Sequence, residues 1–336
     1  MHPDIQKNFK IKPAHIISFI VFLLVSMSTL TAKVYAADAV WPSKTTYKYA
    51  NVDGKKIFYR EAGTQHKQTI VLLHGYPSSS HSYRELIPLL SGRYHVIAPD
   101  YIGSGYSARP SPDKQKYTFD LLAKYVDGLL NKLEVNNYSL YIQDFGAPVG
   151  FRMLLNNPNK LEALIVQNGN AYLEGLTPAR QAFFKTANQD KSQEQQAKLY
   201  SFTSEQAIIN KQYLRDVQNN TQIMNPDSWT HDLHFLQTKT DRLIQVQLLQ
   251  DYYNNLLDYP KWQAYLRKYQ PPTLIVWGKN DPAFIAAGAK AYLKDVPNAE
   301  LHLLDSGHFS VEEKPVEIAK YIVDFMDKLT LKDKQN

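Results

Sequence analysis

The 336-residue chain contains no cysteine. That absence removes thiol nucleophiles, disulfides and cysteine-based metal sites together, and it leaves the redox compartment open, because a disulfide-free chain tolerates either environment. No repeat period, low-complexity tract or long block of like charge appears, which argues against a solenoid and against long disordered tails. Charge imbalance is small as well: 38 Lys and Arg against 32 Asp and Glu make +6. Residues 1–36 hold Lys7, Lys10, Lys12 and Lys33 against Asp4, a net +3, so the rest of the chain carries about +3. An excess that small does not point to nucleic acid.

What is present is enough apolar sequence, 44% of the chain against 21% charged, for one large globular domain with an insertion or for two modest ones. The first 36 residues stand apart. Three lysines precede an apolar run from Ile16 to Leu30, and Val34-Tyr35-Ala36 places small residues three and one before a cut after Ala36, the layout of a secretory signal. The run is short for a membrane span, for which about 20 apolar residues are expected. The expectation is therefore a secreted or periplasmic protein without stable membrane insertion, with anchoring by an uncleaved leader as the alternative.

Beyond the leader, Thr46–Val52 and Lys55–Glu61 read as strands joined by the hairpin signal Asp53-Gly54. Apolar strands then alternate with amphipathic helices: strands at Thr69–Leu73, Tyr94–Pro99, Tyr138–Ile142 and Leu161–Gln167, helices at Ser82–Leu90, Thr118–Leu133 and Pro148–Leu155. From about Asn170 to Lys268 the alternation gives way to polar, helix-like segments. It then resumes with strands at Pro272–Trp277 and Glu300–Leu304 and helices at Ala287–Asp295 and Pro315–Leu329. This predicts an α/β fold, a mostly parallel sheet covered on both faces, with a core of residues 37–169 and 269–336 and a helical cap of 170–268 over the strands' C-terminal ends.

The chain is organised around Gln143-Asp144-Phe145-Gly146, a strand end followed at once by small residues and a helix. A side chain at such a turn is held out over the sheet edge, beside the free N–H groups of the new helix. Asp281 and His308 follow the last two strands. Asp, Asp and His in this order match the nucleophile, acid and base of a catalytic triad, with a carboxylate where a hydroxyl is more familiar. Alone, Asp144 reads equally well as a helix cap. Asp305 competes with Asp281 as the acid but shares a loop with His308, and Asp100 reads as bracing its own loop.

Two other patterns lead nowhere. Gly103-Ser104-Gly105-Tyr106-Ser107-Ala108 matches a dinucleotide fingerprint but runs into Arg109-Pro110 instead of a helix. His231 and His234 have metal-like spacing without a third ligand, and read as ordinary surface or cap residues. No metal or other cofactor is expected.

Over essentially the whole mature chain the sequence resembles the α/β-hydrolase superfamily, in particular its epoxide hydrolase and haloalkane dehalogenase branch. The matching motifs are His74-Gly75-Tyr76-Pro77, Asp100 to Ser107, the Asp144 elbow, Trp277-Gly278-Lys279-Asn280-Asp281 and Gly307-His308-Phe309; Gln167 to Tyr172 resembles a fungal and bacterial subgroup with epoxide-hydrolase-like activity. The resemblance implies that Asp144 attacks an sp3 carbon to form an alkyl ester, which water activated by His308 and oriented by Asp281 then hydrolyses. It also implies an oxyanion site from the backbone N–H groups of Tyr76 and Phe145. Dehalogenases of the branch hold the halide with a Trp after the nucleophile and often an Asn after His-Gly; here stand Phe145 and Tyr76. Phe has no side-chain N–H, which favours epoxides.

Epoxide hydrolases of the branch use cap tyrosines as the ring-opening acid. Tyr252 or Tyr253 fits the second of these, with Tyr252 preferred, and Tyr213 fits the first. The expected substrate is a small to medium apolar epoxide, with water as co-substrate. The rivals are a haloalkane dehalogenase and, outside enzymes, a ligand-binding relative that has lost turnover.

Overall fold

A computed structural model of the chain describes residues 42–217 and 220–333; the expected leader lies outside them. Eight strands, β1 (Thr46–Val52), β2 (Lys55–Ala62), β3 (Thr69–Leu73), β4 (His95–Pro99), β5 (Tyr138–Gln143), β6 (Leu161–Gln167), β7 (Thr273–Gly278) and β8 (Glu300–Leu304), form one sheet. Its order is β1-β2-β4-β3-β5-β6-β7-β8. The first three strands in that order pair antiparallel and all later neighbours pair parallel.

The sequence accounts for this arrangement strand by strand. β3, β5 and β7 are mostly apolar runs and every residue in them is buried, as strands covered on both faces must be. β1 is largely exposed and forms an edge. The hairpin between β1 and β2 turns on Asp53 (φ +47°) and Gly54 (φ +76°), two left-handed residues whose twist suits a two-residue connection.

One apolar layer gathers Val71, Leu140, Ile142 and Ile275 with the helices Phe119–Lys132 and Gly146–Asn156. The opposite layer sets Ile70, Leu72, Ile165 and Leu274 against the helices Leu86–Leu90 and Pro315–Asp333. Helix ends moved by a few residues from those expected. Ser82–Leu90 is in fact a 3-10 turn, Ser80–Tyr83, followed by Leu86–Leu90, and the elbow helix begins at Gly146, two residues early.

Between β6 and β7 the described residues contain helices and no strand: Pro178–Gln189, Gln193–Ser201, Glu205–Ile208, Pro226–His234 and Lys239–Tyr269. The last is 31 residues long and starts on a Thr238 cap whose hydroxyl accepts from Asp241 N–H at 3.1 Å. Its early half packs on Pro178–Gln189. Its late half reaches the elbow helix, where Trp262 stacks on Phe151 at 5.0 Å between ring centres. Asp251, midway along it, accepts the Phe119 N–H at 2.9 Å and so caps a helix of the sheet layer. Phe184, Ile208 and Tyr252 belong to the same apolar cluster as Leu140 and Ile142, so this helical stretch and the sheet share one core.

Candidate active site

β3 lies between β4 and β5, so the chain leaves β3 toward one side and returns on the other. Open α/β sheets bind ligands at such a switch point, outside the carboxyl ends of the strands. Leu73 pairs with Ile142, which sets the residues just past β3 beside those just past β5. Asp144 is the first residue after β5 and has φ +50°. This left-handed backbone is uncommon for a residue with a side chain and costs about 1–3 kcal/mol.

Several contacts hold it there. The Asp144 N–H donates to the Asn168 carbonyl at 3.3 Å, and its own carbonyl accepts from Ala147 N–H at 3.1 Å. Its Oδ1 accepts from the Tyr76 backbone N–H at 2.7 Å. Small neighbours are required by close approach: a Cβ on Gly146 would lie 2.2 Å from the Leu73 carbonyl oxygen, and one on Gly75 would lie 2.4 Å from Asp144 Cβ.

His308 and Asp281 complete the arrangement. His308 Nδ1 stands 2.6 Å from Asp281 Oδ2, and its Nε2 stands 3.5 Å from Asp144 Oδ2. The imidazole thus lies between two carboxylates, all three side chains buried. Asp281 Oδ1 accepts from the N–H groups of Ala283 (2.8 Å) and Phe284 (3.0 Å), and Oδ2 also accepts from Asn168 Nδ2 at 3.0 Å. Burial pushes the Asp281 carboxyl up, but the charge and hydrogen bond of His308, Arg215 and the Phe284 N–H outweigh it and hold it below the usual carboxylate range. For His308, burial opposes the proton, and the charges and hydrogen bonds of Asp281 and Asp144 overcome that opposition, raising its pKa to about 10.

The three side chains read in order from the sequence therefore meet at one place. Asp144 and His308 line a small cavity of about 50 Å³ together with Tyr76, Phe145 and Tyr252. Tyr252 stacks on Phe184 at 4.0 Å and lies 5.8 Å from Phe145, and burial raises its phenol well above the ordinary value, so it stays protonated. Tyr213 and Tyr253 are not brought to this cavity. The Tyr213 hydroxyl donates to Asp232 Oδ2 at 2.5 Å and its ring stacks on Phe309, because the turn that carries it packs down onto the loop after β8. Asp100 accepts from the N–H groups of Ser80 and Tyr106, both at 2.8 Å, and braces its loop. Asp305 is exposed and faces Lys279.

The sequence assigns no site role to other residues here, although Gln167 and Asn168 lie in the Gln167 to Tyr172 stretch. Asn168, at φ +43°, spans two strand ends: its Oδ1 accepts from Gly278 N–H at 2.9 Å while its Nδ2 reaches Asp281. Gln167 Nε2 donates to the His308 carbonyl at 2.9 Å. Asp216 Oδ2 accepts the His308 N–H at 3.0 Å, and Arg215 bridges Asp216 and Asp281. Arg180, Gln212 and Arg215, whose side chains carry N–H groups, also line the cavity. Adjacent opposite charges such as Arg215-Asp216 are common on any helical surface, so only the fold distinguishes them. Arg180, just after the helix start Thr177-Pro178, offered a local signal for a helix but none for a site.

Chemically, the arrangement offers a carboxylate with one oxygen on a backbone amide and the other toward an apolar cavity, beside an imidazole whose far nitrogen is oriented by a second carboxylate. Known proteins share the fold that carries it. The family model described as alpha/beta hydrolase fold matches residues 68–315. An uncharacterized hydrolase of Saccharomyces cerevisiae is 39% identical over 280 residues, covering 81% of this chain and 93% of that protein. Among solved structures, the epoxide hydrolase CorEH superposes with a TM-score of 0.67 at 21% identity, over 85% of this chain and 100% of that one. The haloalkane dehalogenase DbeA from Bradyrhizobium elkani does so with 0.73 at 20% identity, over 86% and 99%.

Proposed function

This chain belongs to the α/β-hydrolase family, and on that premise we propose that it is a hydrolase which opens epoxides to diols through an ester on Asp144. The observation that carries the reading is the setting of Asp144. Its Oδ1 is held by Tyr76 N–H, and Oδ2 is left to react beside a side chain, Phe145, that has no N–H to offer a halide.

In the first step Oδ2 attacks a ring carbon in line with the C–O bond. That bond breaks, its electron pair goes to the ring oxygen, and the Tyr252 hydroxyl supplies the proton. The ester carbonyl oxygen is then Oδ1, already on the Tyr76 amide, with Phe145 N–H as the expected second donor. In the second step water attacks Asp144 Cγ and gives its proton to His308 Nε2. The tetrahedral intermediate collapses, expelling the diol oxygen, which takes the proton back. His308 gives up its own proton once the ester has formed, Tyr252 takes one from solvent, and the water's second proton passes from the regenerated Asp144 acid to His308, so the sum is epoxide plus water to diol.

Neutralising Asp144 as an ester supplies the timing. The Asp144 charge and hydrogen bond are two of the influences that keep His308 protonated in the free enzyme. They vanish when the ester forms, and the pKa of His308 falls as a base is needed.

A single turnover in 18O-labelled water tests this route. The proposal expects one label in the Asp144 carboxylate and an unlabelled oxygen in the diol; turnover with the label only in the diol overturns it. A dehalogenase reading has one feature in its favour, the presence of Arg180 and Gln212, residues with side-chain N–H groups, in the cavity lining. Halide release from chloro- and bromoalkanes with epoxides untouched would put that reading first.

A further inference from the structure

The charges around the cavity pair off with one exception. Asp281 faces His308, and Arg215 is divided between Asp216, at 2.5 and 2.9 Å, and Asp281, at 3.4 Å. Arg180 also lines the cavity, yet its guanidinium makes no ion pair or hydrogen bond with any side chain among the described residues. Its nearest company is aromatic: the guanidinium carbon stands 5.7 Å from the ring centre of Phe183 and 6.0 Å from that of Phe184. Its backbone is fixed, because its N–H donates to the Thr177 cap at 3.2 Å. Burial, and then the neighbouring Arg215, lower its pKa from the ordinary guanidinium value, against the opposing pull of Asp281 and Asp144.

Arg180 is half-buried; ring faces contribute about 0.5–2 kcal/mol to holding such a cation, and Asp281 and Asp144 attract it without pairing with it. Its guanidinium N–H groups, which make no hydrogen bond among the described residues, are left free for a ligand. Guanidinium presents a planar fork that matches a carboxylate in two parallel hydrogen bonds. Arg180 and Asp144 do not pair with each other, so the cavity holds a fixed cation and the reacting carboxylate apart. The free space beside Arg180 is small, about 50 Å³, which favours a compact ligand.

We infer that the substrate is a small acid, an epoxide bearing a carboxylate on or next to the ring, with Arg180 holding the carboxylate while Asp144 attacks a ring carbon. The identity of the reacting group rests on the epoxide reading above; the carboxylate site rests on Arg180 alone. This departs from the apolar substrate expected from the sequence. The phenylalanines make the walls apolar, and the one unpaired charge sets the polarity of what they enclose.

The test compares oxirane-2-carboxylate with methyloxirane in the wild type, R180Q and R180K, and measures binding of unreactive propanoate by calorimetry. A charge-assisted bond contributes about 1.5–3 kcal/mol, or roughly 10- to 100-fold. The ratio of kcat/KM for the acid over the neutral epoxide should fall by about that factor in R180Q, chiefly through KM, and propanoate affinity should fall with it. R180K keeps the charge without the fork and should lose about 3- to 10-fold; it also supplies the comparison if R180Q does not fold.

An equal kcat loss on both epoxides with KM unchanged would mean that Arg180 serves the leaving oxygen, and the proposal falls. It falls also if methyloxirane is opened while the wild type binds no propanoate. If neither epoxide is opened but propanoate binding depends on Arg180, the carboxylate site stands and the epoxide reading is the part that fails.

Discussion

Replacing Asp144 by Asn should lower the pKa of His308, because Asn has the shape of the carboxylate without its charge and so imitates the neutral ester. His308 Nε2 lies 3.5 Å from Asp144 Oδ2. At an effective dielectric of about 20, unit charges at that separation attract by about 5 kcal/mol, an upper bound before reorganisation. The charge-assisted hydrogen bond that is lost is worth about 1.5–3 kcal/mol, which at about 1.4 kcal/mol per unit is a fall of roughly 1–2 pKa units. Asp281 remains at 2.6 Å and keeps the residual value raised.

The assay is a pH titration of the 15N-labelled imidazole by NMR in the wild type and the variant. The stability of the two proteins gives a second readout with a fixed sign. A folded-state pKa raised above the unfolded one contributes stability that is full below about pH 6.5 and is lost as pH climbs through the raised value. For the wild type that window runs from about 6.5 up to the folded value of about 10. In D144N the loss should end at lower pH. A His308 pKa that is unchanged or higher in D144N would refute the coupling, and with it the idea that ester formation releases the base.

Four further outcomes are expected. H308Q, which cannot take a proton from water, should accumulate the alkyl ester, seen as a mass increase on the Asp144 peptide, and failure to trap any adduct would count against His308 as the base. G75A should lose at least about 100-fold in kcat/KM and about 1–3 kcal/mol of stability, since its methyl would lie 2.7 Å from Asp144 Oδ1; near-normal kinetics would show that the two loops are free to part. Y252F should slow ester formation by about 10²-fold or more while leaving ester hydrolysis within a few-fold, measured by rapid quench, and equal loss in both steps would remove Tyr252 as the acid. D216A should leave the His308 N–H without its acceptor and cost about 1–3 kcal/mol in thermal unfolding; an unchanged melting temperature would mean that Asp216 does not anchor the loop.

The strand plan was legible because buried strands announce themselves: β3 and β7 are apolar after an initial Thr, and β5 is interrupted only by the small Ser139 and the terminal Gln143. Asp144, Asp281 and His308 were legible for a related reason. Each stands just past a strand, and in a parallel sheet those ends share one edge, so position along the chain translates into proximity. Cap tyrosines have no such rule. Their placement depends on how helices pack over the edge, and helix periodicity says which face is apolar without saying what it meets. Tyr213 turned out to donate to Asp232, while Tyr252, chosen by its distance before Asp281, reached the cavity.

By itself the sequence determined the mostly parallel sheet, the order of its strands along the chain, and the carboxylate at the elbow, since these follow from local patterns of apolar and small residues. Only the tertiary structure decided the charge arrangement. Arg215 divides between two aspartates, Asn168 spans two strand ends, and Arg180 stands in the cavity with no side-chain partner. Each of these depends on distances between residues far apart in the chain, and electrostatic interaction depends on distance and burial, which a linear sequence does not contain.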